Sequence, residues 1–138
     1  MEIKNLKQSI VATIFSTITI GALTLLTYKT SYGIFLVASF GSSMVLLYGY
    51  PDSPFAQPKN IFLGHLVTAT VGVFFVNFIP LQIYIIIPLA VGIGVGLMIL
   101  LNITHPPAGG NPIIVIIGSA SFEYLFNPII TGSIIILI

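Results

Sequence analysis

Two histidines are the side chains of this sequence best able to bind a solute or hold a proton. His65 lies in a long apolar stretch, and His105 begins the run His-Pro-Pro-Ala-Gly-Gly-Asn-Pro. Histidines inside membrane segments are rare and face the protein interior, and their charge changes near neutral pH. Three roles are open for each ring: a structural hydrogen bond to a loop carbonyl, binding or protonation of an anion, and a share in a metal site. Two histidines without cysteine match no metal-ligand spacing, so the sequence predicts no metal ion and no other cofactor.

Two glycine-rich breaks interrupt the apolar sequence, at residues 41–43 (Gly-Ser-Ser) and 109–111 (Gly-Gly-Asn). A short apolar run follows each break and predicts a half-helix, whose N-terminus carries unpaired N–H groups and a partial positive charge. Such helix starts bind small anions, and serine and asparagine side chains would add donors there. The alternative, compatible with binding, is that these residues only cap helices and let them pack. The predicted substrate-binding residues are Gly41, Ser42, Ser43, His65, His105, Pro106, Pro107, Gly109, Gly110 and Asn111.

The main polar loop contains three prolines between residues 51 and 58, which favour an extended backbone. Asn60 is placed to cap the helix that follows. Two interpretations remain open for this loop. It is either a solvated connection, or a vestibule in which Asp52, Lys59 and Asn60 meet the solute and Lys59 attracts anions.

Charged residues are scarce throughout the chain. Only seven of its 138 residues are Lys, Arg, Asp or Glu, 57% are hydrophobic, and the mean hydropathy is +1.14. Seven charges cannot cover the surface of a soluble domain. A disordered chain is also excluded, because it needs low hydrophobicity. The remaining class is an integral membrane protein in contact with the lipid bilayer. A net charge of +1 predicts no nucleic-acid partner. The sequence shows no Ser/His/acid set, paired carboxylates or phosphate loop, so we do not expect an enzyme.

The apolar segments that must position these residues predict an all-α membrane protein with a single domain over residues 1–138. A spanning helix needs about 20 mostly apolar residues. The fourth segment contains Gly92, Gly94 and Gly96, which predicts a face where another helix can pack closely. The segments run over residues 8–28, 32–50, 61–79, 82–101, 113–117 and 128–138.

Gly41 and Gly110, one in each glycine-rich break, are offset by 69 residues, half the chain length, which predicts two repeated halves at about 1–69 and 70–138. Each half contains a long helix, a broken short helix and a further helix. If the broken segments cross the bilayer, the halves form an inverted three-plus-three arrangement; if they are re-entrant, four full spans remain. With the N-terminus inside, three crossings per half leave only Lys29 among the lysines outside, which favours the inverted arrangement.

Three ordered motifs resemble the HPP family of small membrane proteins, named for a His-Pro-Pro triplet. They are residues 39–49 leading into 51–60, then Gly64-His65, and finally His-Pro-Pro-Ala-Gly at 105–109. The resemblance covers nearly the whole chain from about Ser9 and implies a compact helical membrane domain. Members in cyanobacteria and chloroplasts are associated with nitrite transport, and some relatives carry appended CBS regulatory domains.

Two positions depart from the family pattern. Gly-Asn-Pro at 110–112 replaces small residues and a hydroxyl in the style of Ala-Thr-Ala, and Lys59 stands where arginine is usual. Lysine is a point charge, whereas arginine presents a planar fork of donors. Both departures lie near the predicted site, so the substrate of the family does not carry over directly to this chain. The family is described with four spans, which agrees with three-plus-three only if the broken segments are not counted.

The leading hypothesis is a channel or transporter for a small monovalent anion, nitrite first, bound between the two half-helix N-termini. A channel for a small neutral solute and a non-transporting scaffold or regulatory subunit are the alternatives. Six short elements barely enclose a pore, so we expect a homo-oligomer, either a trimer or a dimer. We also expect a multi-pass protein of a prokaryotic cytoplasmic membrane with a cytoplasmic N-terminus.

Overall fold

In the computed structural model, which describes residues 3–138, the chain is 79% helical, and this part of it contains no strand. Side chains are described from Asn5 onwards, so Lys4, which contributes to the orientation prediction, lies outside the described side chains. The helices are α1 (Ile3–Lys29), α2 (Ala38–Met44), α3 (Pro58–Phe78), α4 (Ile83–Leu100), α5 (Asn111–Ile117) and α6 (Thr131–Leu137). Shorter 3-10 or π segments cover Val45–Gly49, Pro54–Ala56, Pro106–Gly110 and Leu125–Ile130.

The three long helices α1, α3 and α4 agree with the predicted apolar segments to within a few residues. Each is long and apolar enough to cross a bilayer, over Asn5–Lys29, Pro58–Phe78 and Ile83–Leu100. At 1.5 Å per residue, the 21 residues of α3 extend about 30 Å, the thickness of the hydrocarbon core. The prediction of an all-helical membrane protein is confirmed.

The first broken segment differs from the prediction at its start. We expected a half-helix after residues 41–43, but α2 begins at Ala38 and contains them. Glycine costs a helix only about 1 kcal/mol relative to alanine, and the Ser43 hydroxyl lies 3.1 Å from the Ser39 carbonyl one turn earlier. The irregular backbone lies before α2, where Val37 is extended, and α2 continues into the π segment.

The second broken segment follows the prediction more closely. A 3-10 helix over Pro106–Gly110 precedes α5, which begins at Asn111, two residues before the predicted apolar run. The last predicted segment, 128–138, is a π segment leading into α6, with Asn127 in non-helical geometry.

Contacts at the two ends of α1 give the direction of the first broken segment. Gln8, near the start of α1, donates to the carbonyls of Tyr48 and Gly49 at 3.1 Å. Near the end of α1, the Thr27 hydroxyl accepts a hydrogen bond from the Phe35 amide at 3.0 Å. Residues 35–49 therefore run back along α1 from its end to its start.

The second broken segment runs beside α3. At its beginning His105 packs against Gly64, where an added Cβ would lie 2.9 Å from the His105 Cβ. Beyond its end, the Asn77 amide donates to the Ala120 carbonyl at 3.1 Å. Residues 105–120 thus follow α3 from its first half to its end.

Glycine residues, which have no side chain, allow α3 to pack closely at the centre of the molecule. A Cβ on Gly72 would lie 2.9 Å from the Pro112 Cα, which brings α5 directly against α3. On α4 only Gly94 faces α3, near Thr68, whereas a Cβ on Gly92 or Gly96 would meet nothing within 4 Å. Close helix packing is therefore observed at Gly94, whereas Gly92 and Gly96 lie on another side of α4, because residues two apart on a helix point in different directions.

Candidate functional site

A cluster of buried polar side chains forms where the two broken segments meet α3, and we call it the polar junction. Its side chains are at most 5% exposed, although they lie in a chain dominated by apolar residues. Two come from α2, two from α3, one from the turn before the 3-10 helix and one from the start of α5. The residues are Ser39, Ser43, His65, Thr68, His105 and Asn111.

The Ser43 hydroxyl lies at the centre of the polar junction. Its Oγ is 3.0 Å from the His65 Nε2 and 2.8 Å from the His105 Nε2. It also lies 3.1 Å from the Ser39 carbonyl oxygen. A hydroxyl carries one proton to donate and can accept two hydrogen bonds, so Ser43 can donate to only one of these three neighbours at a time.

Asn111 joins the two broken segments to α3. Its Oδ1 accepts from the Ser39 hydroxyl at 2.6 Å. Its Nδ2 lies 3.0 Å from the His65 Nδ1, 3.2 Å from the His65 carbonyl and 3.1 Å from the Thr68 hydroxyl. A carbonyl only accepts hydrogen bonds, so the His65 carbonyl fixes which end of the amide faces α3.

The hydrogen-bond partners of the two rings assign their tautomers. The His65 Nδ1 faces the amide donor of Asn111 and must accept, so its proton lies on Nε2 and is donated to Ser43. The His105 Nδ1 lies 2.8 Å from the Phe55 carbonyl and must donate to it. In neutral His105 the Nε2 then accepts from Ser43.

The two rings are also in direct contact. Their centroids are 5.0 Å apart in an edge-to-face arrangement, and the Phe40 ring meets His65 at the same distance. Sequence position alone did not imply a pair, because the two histidines are not equivalent under the predicted repeat. The pair forms because His105 packs on Gly64, the neighbour of His65.

The structure brings four of the predicted site residues together, Ser43, His65, His105 and Asn111. Gly41 and Ser42 are exposed, and Gly41 lines a pocket between α1 and α2. The remaining predicted residues form the 3-10 turn that carries the chain from His105 to Asn111. Of these, Pro106 is exposed, while Pro107, Gly109 and Gly110 are half-buried.

Sequence reasoning missed Ser39 and Thr68. Ser39 precedes Ser43 by four residues and Thr68 follows His65 by three, so each lies on the same helix face as a predicted residue. This spacing was the available signal. It is weak because serine and threonine commonly hydrogen-bond within their own helix, as Thr68 does with the Gly64 carbonyl at 2.8 Å.

The polar loop connects to the junction through its backbone. Asp52 and Lys59 are exposed, and the Phe55 carbonyl reaches His105. The prediction that Asn60 caps α3 is wrong, since α3 begins at Pro58 and Gln57 takes the cap position. Proline suits the first helical turn because its missing N–H needs no partner there, and Asn60 instead donates to the Pro54 carbonyl at 2.8 Å.

The described residues contain no group of three His, Cys, Asp or Glu side chains able to share a metal ion. A pocket of about 500 Å³ opens beside α5 and includes Glu123 and Tyr124. Burial raises the pKa of Tyr124, which directly precedes the π segment Leu125–Ile130, to about 12. A carboxylate repels anions, which makes the polar junction the stronger candidate for an anion.

The fold and the polar junction define an integral membrane protein with two broken segments that meet at a buried histidine pair. Over residues 1–138 the chain matches the family model described as HPP, transmembrane region, so it belongs to the HPP transmembrane family and the resemblance is confirmed. Two transmembrane proteins of Dictyostelium discoideum are similar to it, at 37% identity over 112 residues and 34% over 110. The alignments cover 76% and 75% of this chain but 36% and 39% of those relatives. The chain therefore spans little more than a third of their length, and no solved structure matches it.

Proposed function

We propose that this chain is a non-enzymatic channel or transporter for a small monovalent anion, with nitrite as the first candidate. The observation that carries the proposal is the polar junction, a fully buried histidine pair at the meeting point of two broken segments. Ionisable residues inside a membrane domain are expensive and mark solute or ion pathways. Irregular backbone at membrane depth is tolerated only where protein buries it or where it lines a watery cavity.

Both broken segments are proposed to cross the bilayer, which gives two inverted halves of three crossings. Support comes from the first segment, which runs from the Thr27 end of α1 back to its Gln8 end. The second segment runs beside α3 towards Asn77. A re-entrant segment would instead enter and leave on one side, so the direction of these two paths supports the inverted arrangement. The arrangement places Lys7 and Lys59 on one side, proposed to be cytoplasmic, and Lys29 on the other.

The binding mode proposed here differs from a helix-start site at residues 41–43, because those residues lie within α2. The junction offers hydroxyl, amide and imidazole groups and includes no lysine, arginine or carboxylate. An anion would be held there by neutral donors. Neutral donors bind weakly, which suits a site that must release its ion quickly.

The test is nitrite uptake into proteoliposomes that contain the protein, compared with empty liposomes. Ser43→Ala removes the central hydroxyl of the junction, and we expect uptake to fall to the empty-liposome rate. Ser133→Ala is the matched control, because Ser133 is equally buried and its hydroxyl has no hydrogen-bond partner. We expect normal uptake in that variant.

Two results would contradict this proposal. Equal uptake by Ser43→Ala and the unmodified protein would show that the junction does not lie on the transport pathway. Equal rates with and without protein would favour a scaffold or regulatory subunit.

A channel for a small neutral solute is the second candidate, and the absence of a charged side chain in the junction favours it. The two functions respond differently to membrane potential. Flux of an unaccompanied anion changes when a potassium gradient and valinomycin set the potential, whereas flux of a neutral solute such as urea does not.

A further inference from the structure

The Ser43 hydroxyl has more acceptors within reach than it has protons. It carries one proton, while the His105 Nε2 at 2.8 Å and the Ser39 carbonyl at 3.1 Å both stand ready to accept it. The third neighbour, the His65 Nε2, is a donor by the tautomer assigned above. The hydroxyl can therefore point in either of two directions without losing its bond to His65.

These two directions correspond to two protonation states. In the neutral junction, the Ser43 O–H points to His105, and the Ser39 carbonyl lacks this bond. When a proton adds to the lone pair of the His105 Nε2, the new N–H donates to the Ser43 Oγ and the Ser43 O–H turns to the Ser39 carbonyl. The Oγ then accepts two bonds and donates one, which is its full capacity. One proton is gained and no heavy atom needs to move.

His65 is the less suitable ring for the extra proton. Its free lone pair is on Nδ1, which faces the Asn111 amide at 3.0 Å. Protonation there would set two donors against each other, and the amide cannot turn because its Nδ2 also faces the His65 carbonyl and its Oδ1 accepts from Ser39. Two donors facing each other in a buried site leave both unsatisfied, which costs stability.

The surroundings of His105 define its electrostatic setting. The titratable group in contact with it is His65, from α3, while α2 contributes Ser43 and the polar loop contributes the Phe55 carbonyl. The Phe55 carbonyl accepts from the Nδ1–H, and this bond is kept in both protonation states of the ring. Phe55 is 41% exposed, so this side of His105 lies next to the surface of the polar loop.

We propose that His105 takes up one proton through the Ser43 hydroxyl switch and that this proton travels with the transported anion, so that the protein is a proton–anion symporter. The inference rests on the anion transport proposed above. It supplies the positive charge that the junction otherwise lacks. A proton from one aqueous side binds His105, the imidazolium attracts the anion, and both are released on the other side, so no net charge crosses the membrane.

The first experiment measures nitrite uptake and internal pH together in proteoliposomes loaded with a pH-sensitive dye. After subtraction of the empty-liposome rates, we expect one proton to enter with each nitrite and the rate to be independent of a valinomycin-set potential. His105→Gln keeps hydrogen-bonding capacity without a titratable ring, and it should lose proton-driven uptake. Ser133→Ala, outside the junction, should retain it.

Each other outcome has a definite meaning. Nitrite uptake that follows the potential without acidification would overturn the symport and leave anion transport intact. One-to-one proton entry that persists in His105→Gln would also overturn it, because undissociated acid would then carry the proton itself. Absence of protein-dependent nitrite uptake would overturn both anion transport and its coupling.

A second measurement tests the proton site in the unmodified protein, so it depends neither on transport nor on the folding of a variant. Nitrogen-15 spectra of the histidine-labelled full chain in bilayers report the tautomer of each ring. We expect His65 to carry its proton on Nε2, and His105 to pass from the Nδ1–H form to the doubly protonated form as the pH falls. Protonation of His65 before His105, or the same tautomer in both neutral rings, would overturn the proposal.

Discussion

Among the described side chains, Asn111 makes the most hydrogen bonds to other elements of the fold. It bonds to Ser39 on α2 and to His65 and Thr68 on α3, although 72 positions separate it from Ser39 in sequence. A side-chain amide suits this position because it presents an acceptor on one side and two donors on the other. The Asn111 amide thereby holds its Nδ2 against the His65 Nδ1, and this contact fixes the tautomer of His65.

Asn111→Ala should destabilise the protein strongly. The change leaves the Ser39 hydroxyl and the His65 Nδ1 buried without partners, and each unsatisfied group costs about 1–3 kcal/mol. Unfolding of the purified protein by SDS in mixed micelles measures the difference. Asn77→Ala is the matched control, because Asn77 is exposed and donates only to backbone carbonyls, so its removal leaves no buried side chain without a partner and a loss below about 1 kcal/mol is expected. Equal losses in the two variants would contradict the central role of Asn111.

The residues of the junction differ in how far the sequence could predict them. His65, His105 and Asn111 stand out because polar side chains of this kind are rare beside breaks in apolar sequence. Ser39 and Thr68 look like many other hydroxyl residues in the chain, and only their partners distinguish them. The contact between the two histidines depends on Gly64, whose missing side chain makes room for His105. Such a contact requires the packed structure.

At the level of elements, apolar length predicted α1, α3 and α4 well, because a spanning helix must satisfy its own backbone hydrogen bonds over the whole membrane thickness. The start of α2 could not be predicted in this way. Gly41 indicates a break on propensity alone, but glycine remains in a helix when neighbouring elements hold it there. The two broken segments meet at Ser39 and Asn111. The sequence placed an anion between their helix starts, and that site stays a prediction.

Close packing of α3 and α5 depends on Gly72, and Gly72→Ala tests it. The added Cβ would lie 2.9 Å from the Pro112 Cα and 3.0 Å from the Val115 Cβ, so backbone must shift. Overpacking of this kind costs about 1–3 kcal/mol. Gly21→Ala in α1 is the control, since its Cβ meets nothing within 4 Å and alanine favours a helix by about 0.5–1 kcal/mol. SDS unfolding should show opposite signs for the two variants, and a neutral Gly72→Ala would contradict the packing argument.

For the whole molecule, the scarcity of charge limits how an anion can be selected. The described side chains of the junction carry no fixed charge. Asp52 and Glu123 are exposed outside the long helices, and Lys59 is exposed in the first turn of α3. A bound proton is a removable charge, so the interior can be neutral when empty and positive when occupied. That alternation lowers the cost of keeping an ionisable site in an apolar environment, where a permanent charge is expensive.

We propose that the protein forms a homo-oligomer, and α4 offers a face on which copies can meet. Gly92 and Gly96 are four residues apart on an exposed side of α4, where an added Cβ meets nothing within 4 Å. Small residues at this spacing let two membrane helices approach closely. Ile93 and Leu89 beside them are exposed large apolar side chains that would be covered by a second copy or by lipid.

Gly92→Leu and Gly96→Leu should therefore shift the protein from oligomer to monomer without unfolding it. Both positions are exposed and an added Cβ meets nothing within 4 Å in its own chain, whereas a leucine there blocks the approach of another helix. The detergent-corrected mass from light scattering measures the state, with nitrite uptake as the check on folding. Gly21→Leu places the same side chain on α1, where an added Cβ also meets nothing within 4 Å, and it should leave the mass unchanged. A monomeric mass for the unmodified protein would refute the homo-oligomer. An oligomer that survives both α4 substitutions would place the contact on another face, with the exposed apolar side of α1 as the next to test.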